Sequence, residues 1–179
     1  MKDALTIHRA LLGWETAHEI VRLPLSMTWA DELPRALGLP PDRCLVTRVY
    51  SCEGEARGRS FLTGAIVPAG RWPSAEAVRR GVGARSVRHA HADVVNAVTE
   101  YAAGLVCPLL LPDSMPLLID RGLVDGPHAS DIVYTATGEA STALGIKADV
   151  LYSLCRAEPA DLLAPRGAAP APGLDHATT

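Results

Sequence analysis

The sequence predicts an α+β domain built on a mixed, mainly antiparallel, curled and barrel-like sheet with surrounding helices. Two observations carry that reading: helix-period and strand-period segments are intermixed along the chain, and several strand candidates are joined by short Gly-containing connections of hairpin length. No internal repeat is evident. With 179 residues, 48% of them hydrophobic, the chain can bury the core of one domain and little more. Only 4% of residues are aromatic and there is a single Phe, so that core must be aliphatic.

From the N-terminus, Leu5, Ile7, Leu11, Leu12 and Trp14 fit a short amphipathic helix over Ala4 to Trp14. His18 to Leu25 reads as extended, and Thr28 is placed to cap a helix from Trp29 to Leu37 that Gly38 and Pro40-Pro41 stop. Arg43 to Tyr50 is a strand, with Cys44, Val46, Arg48 and Tyr50 on one face and Leu45, Thr47 and Val49 on the other. A connection over Cys52 to Arg59 leads to an antiparallel partner from Phe61 to Val67. Ser74 caps a helix over Ala75 to Val82, and a second helix follows from Ala92 to Val98. Tyr101 to Pro112 is an apolar loop punctuated by Gly and Pro. Short strands are expected at Leu117 to Asp120, Ile132 to Tyr134 and Ala140 to Ile146, then a helix from Ala148 to Arg156. The domain is therefore placed at residues 1–163. Residues 164–179, mostly Ala, Pro and Gly, cannot repay the entropy of ordering and read as a flexible tail.

A net charge of −3 argues against a protein that grips nucleic acid through many phosphates, and no DNA partner is expected. Cys44, Cys52, Cys107 and Cys155 are widely spaced without a CxxC pair, which suggests neither a zinc site nor a disulfide framework and makes a reducing cytoplasm the simplest location. There is no signal-peptide pattern and no run of about 20 apolar residues, so no membrane partner is expected.

Three segments, in order, carry a family resemblance: WADELPRALGLPPDRCLVTRVY (29–50), TEYAAGLVCPLLLPDSMPLLIDRGLVD (99–125) and VYTATGEASTALGIKADVL (133–151). They resemble the helix, Pro turn and strand, the Gly-x-x-x-Pro loop and Asp-ended strand, and the closing Gly turn, strand and helix of the YbaK and prolyl-tRNA editing-domain superfamily. The resemblance implies that family's sheet architecture and hydrolysis of the ester of a mischarged aminoacyl-tRNA, as a free-standing deacylase for a small amino acid. It implies the 3′ acceptor end of aminoacyl-tRNA as partner, an aminoacyl-tRNA synthetase as a further candidate partner, and no cofactor.

An aminoacyl ester is already activated. Its hydrolysis needs a positioned water, donors for the developing oxyanion and a pocket of the right shape, without metal or nucleophile. By resemblance, Gly104-Leu105-Val106-Cys107-Pro108 is the loop that offers backbone donors, with Tyr101 before it. Aligning Thr47 with the family's Thr puts Val46 where relatives carry a lysine. Arg48, on the same face as Val46 and Tyr50, is the candidate replacement cation; alternatively it is an exposed strand cation or an ion-pair partner of Asp120. Cys107 is either a thiolate nucleophile for an acyl transfer or a small residue in place of a serine. Asp120 is read as fixing a loop or an arginine. Thr137, Gly138 and Glu139, with Thr142, are expected beside the substrate, or else form a simple turn. A domain that binds aminoacyl-tRNA or a small ligand without turnover remains the alternative to the deacylase.

Overall fold

The computed structural model describes residues 1–56 and 58–164. The tail expected from residue 164 onward lies, after Ala164, outside the described residues.

Helix α1 (Ala4–Gly13) starts where the Asp3 carboxylate accepts the Thr6 N–H at 2.8 Å. Ile7 and Leu11, four residues apart, point into the core, while Leu5, Leu12 and Trp14 are exposed. Strand β1 (Glu19–Arg22) follows. The expected Thr28-capped helix from Trp29 is corrected to a single 3-10 turn over Ala30–Glu32 and a short α2 (Leu33–Leu37). The cause is Glu32, whose Oε1 accepts both the Thr28 and Trp29 N–H groups at 2.8 and 3.0 Å. Trp29 is thereby left extended outside the helix, with φ −129° and ψ 140°. Gly38, at φ +65°, ends α2 as expected.

Strand β2 (Cys44–Glu53) runs three residues past its expected end at Tyr50 and pairs along its length with β3 (Ser60–Pro68). Ser74 caps α3 (Ala75–Val82) by accepting the Ala77 N–H at 3.1 Å, and Gly83 closes it in the left-handed conformation. Then come β4 (Ser86–His89), α4 (Ala92–Thr99), β5 (Leu117–Asp120), α5 (Arg121–Val124), β6 (Ile132–Ala136), β7 (Thr142–Lys147), α6 (Ala148–Cys155) and β8 (Glu158–Ala160). Three of these, β4, α5 and β8, were not expected from the sequence. In β4 only Val87 is even half-buried, so it carries no apolar alternation; it is a strand because the extension of β2 gives it an edge to pair with.

The sheet runs β1-β7-β6-β2-β3-β5-β8, with β4 also on β2. Pairings β1–β7, β6–β7, β2–β3 and β2–β4 are antiparallel; β2–β6, β3–β5 and β5–β8 are parallel. The expected alternation of β2 sorts its side chains. Leu45 enters the main core with Ile7, Leu11, Ile66, Ile119, Val133, Leu144 and Leu151. On the other face, Cys44 and Val46 pack with Leu23, Met27 and Leu33, while Tyr50 and Cys52 pack with Val67, Val78 and Leu118. Arg48 falls between those two apolar clusters. Among the described residues no helix is long and apolar enough to cross a membrane.

Ile66 is fully buried at the centre of β3. Ile66→Ala is expected to lower unfolding free energy by about 3 kcal/mol in a urea titration. A loss below about 1 kcal/mol would contradict its place in a close-packed core.

Candidate active site

The pairing of β2 defines an opening. On the edge away from β3, β2 pairs with β6 at Cys44 and Leu45 and with β4 from Tyr50 to Glu53, and between these stretches it has no strand neighbour. The hydrogen-bonded partnership of Cys44 with Ala69, shown by the 2.8 Å Ala69 N–H to Cys44 carbonyl bond, sets the alternation: even-numbered β2 residues bond to β3, odd-numbered ones face the other edge. Leu45 faces β6, and the Val49 carbonyl accepts the Ala90 N–H at 3.1 Å. Thr47 is left between them, with its N–H and carbonyl directed into the gap.

A cavity of about 280 Å³ fills this gap. Val46 to Val49 form its floor; Ala103, Gly104 and Val106 of the loop after α4 face it, together with Val95 of α4; Trp29, Trp72 and His89 also line it. The loop is shaped for close approach. Gly104 has φ +86°, and a Cβ there would lie 2.6 Å from the Trp29 ring and 3.0 Å from the Thr28 carbonyl. The Ala30 N–H holds the Gly104 carbonyl at 2.8 Å, the Asn96 side chain takes the Ala103 N–H at 2.7 Å, and the Ala102 carbonyl takes the Leu105 N–H at 2.9 Å. The N–H groups of Gly104 and Val106 take no hydrogen-bond partner among the described residues. Nor does the Thr47 hydroxyl, although it is buried. Unpaired donors this close to a cavity are what an oxyanion-binding site requires.

Arg48 lies in the cavity wall with its charge already committed. Both its terminal nitrogens donate to Asp31 at 2.7 Å, and its Nε and Nη2 donate to the Arg71 carbonyl at 3.2 and 2.8 Å. The partner is therefore Asp31 and not Asp120. Burial alone would raise the Asp31 carboxyl, but the Arg48 hydrogen bonds and the Gly70 N–H at 2.7 Å outweigh it and hold the group below the ordinary carboxylate range. Asp120 instead caps α5 and accepts the Leu162 and Leu163 N–H groups at 3.2 Å, which fixes a loop, one of the two tasks expected of it.

The other sequence candidates separate in space. Val46, Arg48, Gly104 and Val106 are brought together in the cavity. Tyr50 is buried beside it, its ring 5.0 Å from that of His89, and burial pushes its hydroxyl up to about 12. Leu105 packs with Leu23 and Leu33, and Pro108 lines a separate hollow with Trp14 and Leu154. Tyr101 is enclosed, its hydroxyl donating to the Leu109 carbonyl at 2.8 Å.

Cys107 as an accessible nucleophile is corrected: the residue is fully enclosed, and burial pushes its thiol up to about 12, so a thiolate at neutral pH is negligible. Thr137, Gly138, Glu139 and Thr142 form a hydrogen-bonded turn outside the cavity. Thr142 donates to Glu139 at 3.0 Å, Glu139 accepts the Ala4 N–H at 3.3 Å, and the Lys2 carbonyl would lie 2.5 Å from a Cβ at Gly138. This turn seats the N-terminal residues.

Sequence reasoning missed Trp29, Asp31, Trp72 and His89. Trp29 and Trp72 are two of only three tryptophans in an aromatic-poor chain, and that scarcity was the available signal. It missed Lys2 as well, whose ammonium donates to the Thr99 and Leu110 carbonyls at 2.9 and 2.7 Å and so ties together the two ends of the Gly104 loop. Among the described residues no group of three or more His, Cys, Asp or Glu side chains is placed to hold a metal ion. A larger hollow of about 360 Å³ beside Asp42, Asp120 and His128 includes no residue of the Gly104 loop.

The fold is thus a mixed α+β domain with a small cleft between β2 and the Gly104 loop. The family model for the aminoacyl-tRNA editing domain matches residues 24–153, and the chain belongs to that family. A candidate trans-editing enzyme for prolyl tRNA synthetase is similar in structure, with 25% identity and a TM-score of 0.66 over 83% of this chain and 87% of that one. The hypothetical protein APE2540 is similar in fold, at 19% identity and a TM-score of 0.74 over 87% and 97% of the two chains. A scaffold protein from epitope-grafting design matches at 23% identity and a TM-score of 0.71, covering 89% and 95%. No curated protein sequence gives a significant match.

Asp31→Asn is expected to cost about 2 kcal/mol at pH 7, because it leaves the buried Arg48 charge without its carboxylate. The Asp31 carboxyl is depressed in the folded state, so its contribution is complete above the ordinary carboxylate value and disappears as pH falls through the lower folded value. Denaturant titrations of both proteins should therefore converge as pH falls below the ordinary carboxylate value; a constant gap would contradict the assignment. Cys107 should resist iodoacetamide in the native protein and react once it is unfolded, as read by intact mass.

Proposed function

We propose that the protein is an aminoacyl-tRNA deacylase acting in trans on a small amino acid, in a reducing compartment. The observation that carries this is the gap in sheet pairing over residues 46–49, with the Thr47 main chain on its open edge, set against the free N–H groups of Gly104 and Val106 across a cavity of about 280 Å³. That volume is near the lower end for small-molecule sites, roughly 300 to 1,000 Å³. It suits an aminoacyl group with part of its ribose and excludes a bulky side chain. The ester carbonyl oxygen is directed to the loop N–H groups, and the Thr47 carbonyl and hydroxyl are available to the α-ammonium group. Water attacks the carbonyl carbon, the oxyanion is held by the loop amides, the bond to the ribose oxygen breaks, and that oxygen takes the proton. Apolar walls from Val46, Val49, Val95 and Val106 limit competing water.

One observation favours a second reading, a domain that binds the aminoacyl end without turnover. The guanidinium of Arg48 is paired with Asp31, so it supplies no free positive charge to the cleft.

A panel of aminoacyl-tRNAs decides between the readings. Hydrolysis of at least one small aminoacyl ester is expected, with kcat/KM reduced about tenfold or more in Thr47→Val and in Gly104→Ala, and unchanged in Lys147→Ala. Tight binding of charged tRNA without turnover of any member, at micromolar enzyme, would establish the second reading instead.

A further inference from the structure

An aminoacyl group with part of its ribose accounts for a cavity of about 280 Å³, so an ester held at Thr47 leaves its nucleobase at the rim. The rim carries an unusual side chain. Trp72 is 57% exposed, yet its position is fixed from three sides. The Arg48 guanidinium carbon lies 3.7 Å from the indole centroid, and the His89 ring meets the indole edge-on at 5.4 Å. Arg48 also donates twice to the Arg71 carbonyl, and Asp31 takes the Gly70 N–H at 2.7 Å, so the backbone leading into Trp72 is held by the same pair that holds its ring. An aromatic surface that is both exposed and already ordered loses little conformational entropy when a flat ligand covers it.

We propose that Trp72, backed by Arg48, is the platform on which the adenine of the esterified terminal nucleotide stacks. This rests on the deacylase reading for the identity of the ligand and deepens it at a residue outside the reacting centre. Arg48 is then a positioning residue. Its charge is balanced by Asp31, and its planar group sets the tilt of the indole by stacking, a task to which lysine is unsuited. His89 completes the support by tying Trp72 to Tyr50 of β2, whose ring lies 5.0 Å from the imidazole.

The test uses the full chain with RNA minihelices ending in CCA, charged and uncharged, and uncharged minihelices ending in CCU. On a hydrolysed charged minihelix, Trp72→Leu is expected to raise KM about tenfold with kcat within about twofold, and Trp72→Phe to recover most of the loss. Uncharged CCA minihelix should bind Trp72→Leu about tenfold more weakly than wild type, whereas CCU minihelix should bind both alike. Circular dichroism melting establishes that the variants are folded. A folded Trp72→Leu with unchanged KM, or an equal loss on CCA and CCU ends, overturns the platform. The binding arm needs no hydrolysis, so an adenine-dependent loss in Trp72→Leu alongside a wild type that cleaves nothing removes the deacylase reading and leaves the platform standing. Cleavage without any Trp72 dependence does the reverse.

Discussion

The molecule is organised by the change of neighbours along β2. One edge of this strand is paired with β3 throughout, and the other is shared between β6 at its start and β4 at its end. Those two neighbours cannot meet, because β6 runs parallel to β2 and is followed by the turn to β7, while β4 runs antiparallel and leads into α4. A hole in the sheet follows from the topology, and the loop after α4 must pass over it. The main chain of Thr47 faces a cavity for that reason, whatever its side chain is.

Around this opening the protein places a charge where apolar side chains would otherwise meet. Arg48 sits between the cluster containing Val46 and the cluster containing Tyr50. Removing a guanidinium from water is costly, and the structure offsets that cost with a bidentate carboxylate, a carbonyl and an indole face. The result links three distant stretches, Asp31 before α2, Arg48 on β2 and the Gly70–Trp72 segment after β3. Lys2 does similar work at the far end of the loop, joining Thr99 to Leu110 through their carbonyls. Two cations are thus used as internal ties, and the cleft they frame is largely apolar.

Much of the frame was legible in the sequence because the relevant signals are local. The alternation of Cys44 to Tyr50, the Ser74 cap and the Gly38 stop each act within a few residues, and the three ordered motifs identified the family. What was illegible depended on contacts distant in sequence. Strand β4 has no apolar pattern and exists only through pairing with residues 50–53 of β2. The choice of Asp31 over Asp120 as partner of Arg48 follows from the extended exit of Trp29, which Glu32 imposes by taking two backbone amides. Cys107 and Gly104 stand three residues apart on one loop, yet one is in the core and the other on the cleft, the chain being turned by the positive φ at Gly104. A linear motif does not record that turn.

Exposed strand edges are a hazard for soluble proteins, since an unpaired ladder recruits other strands and promotes aggregation. The gap at Thr47 shows how such an edge can be kept without that hazard. It is four residues long between two paired stretches and lies beneath the Gly104 loop, so another chain cannot lay a strand along it. A short planar group entering end-on can still reach it. The opening therefore rejects a polypeptide edge by shape before any side chain acts. That selection survives changes to individual wall residues as long as β4 and β6 keep their places on β2.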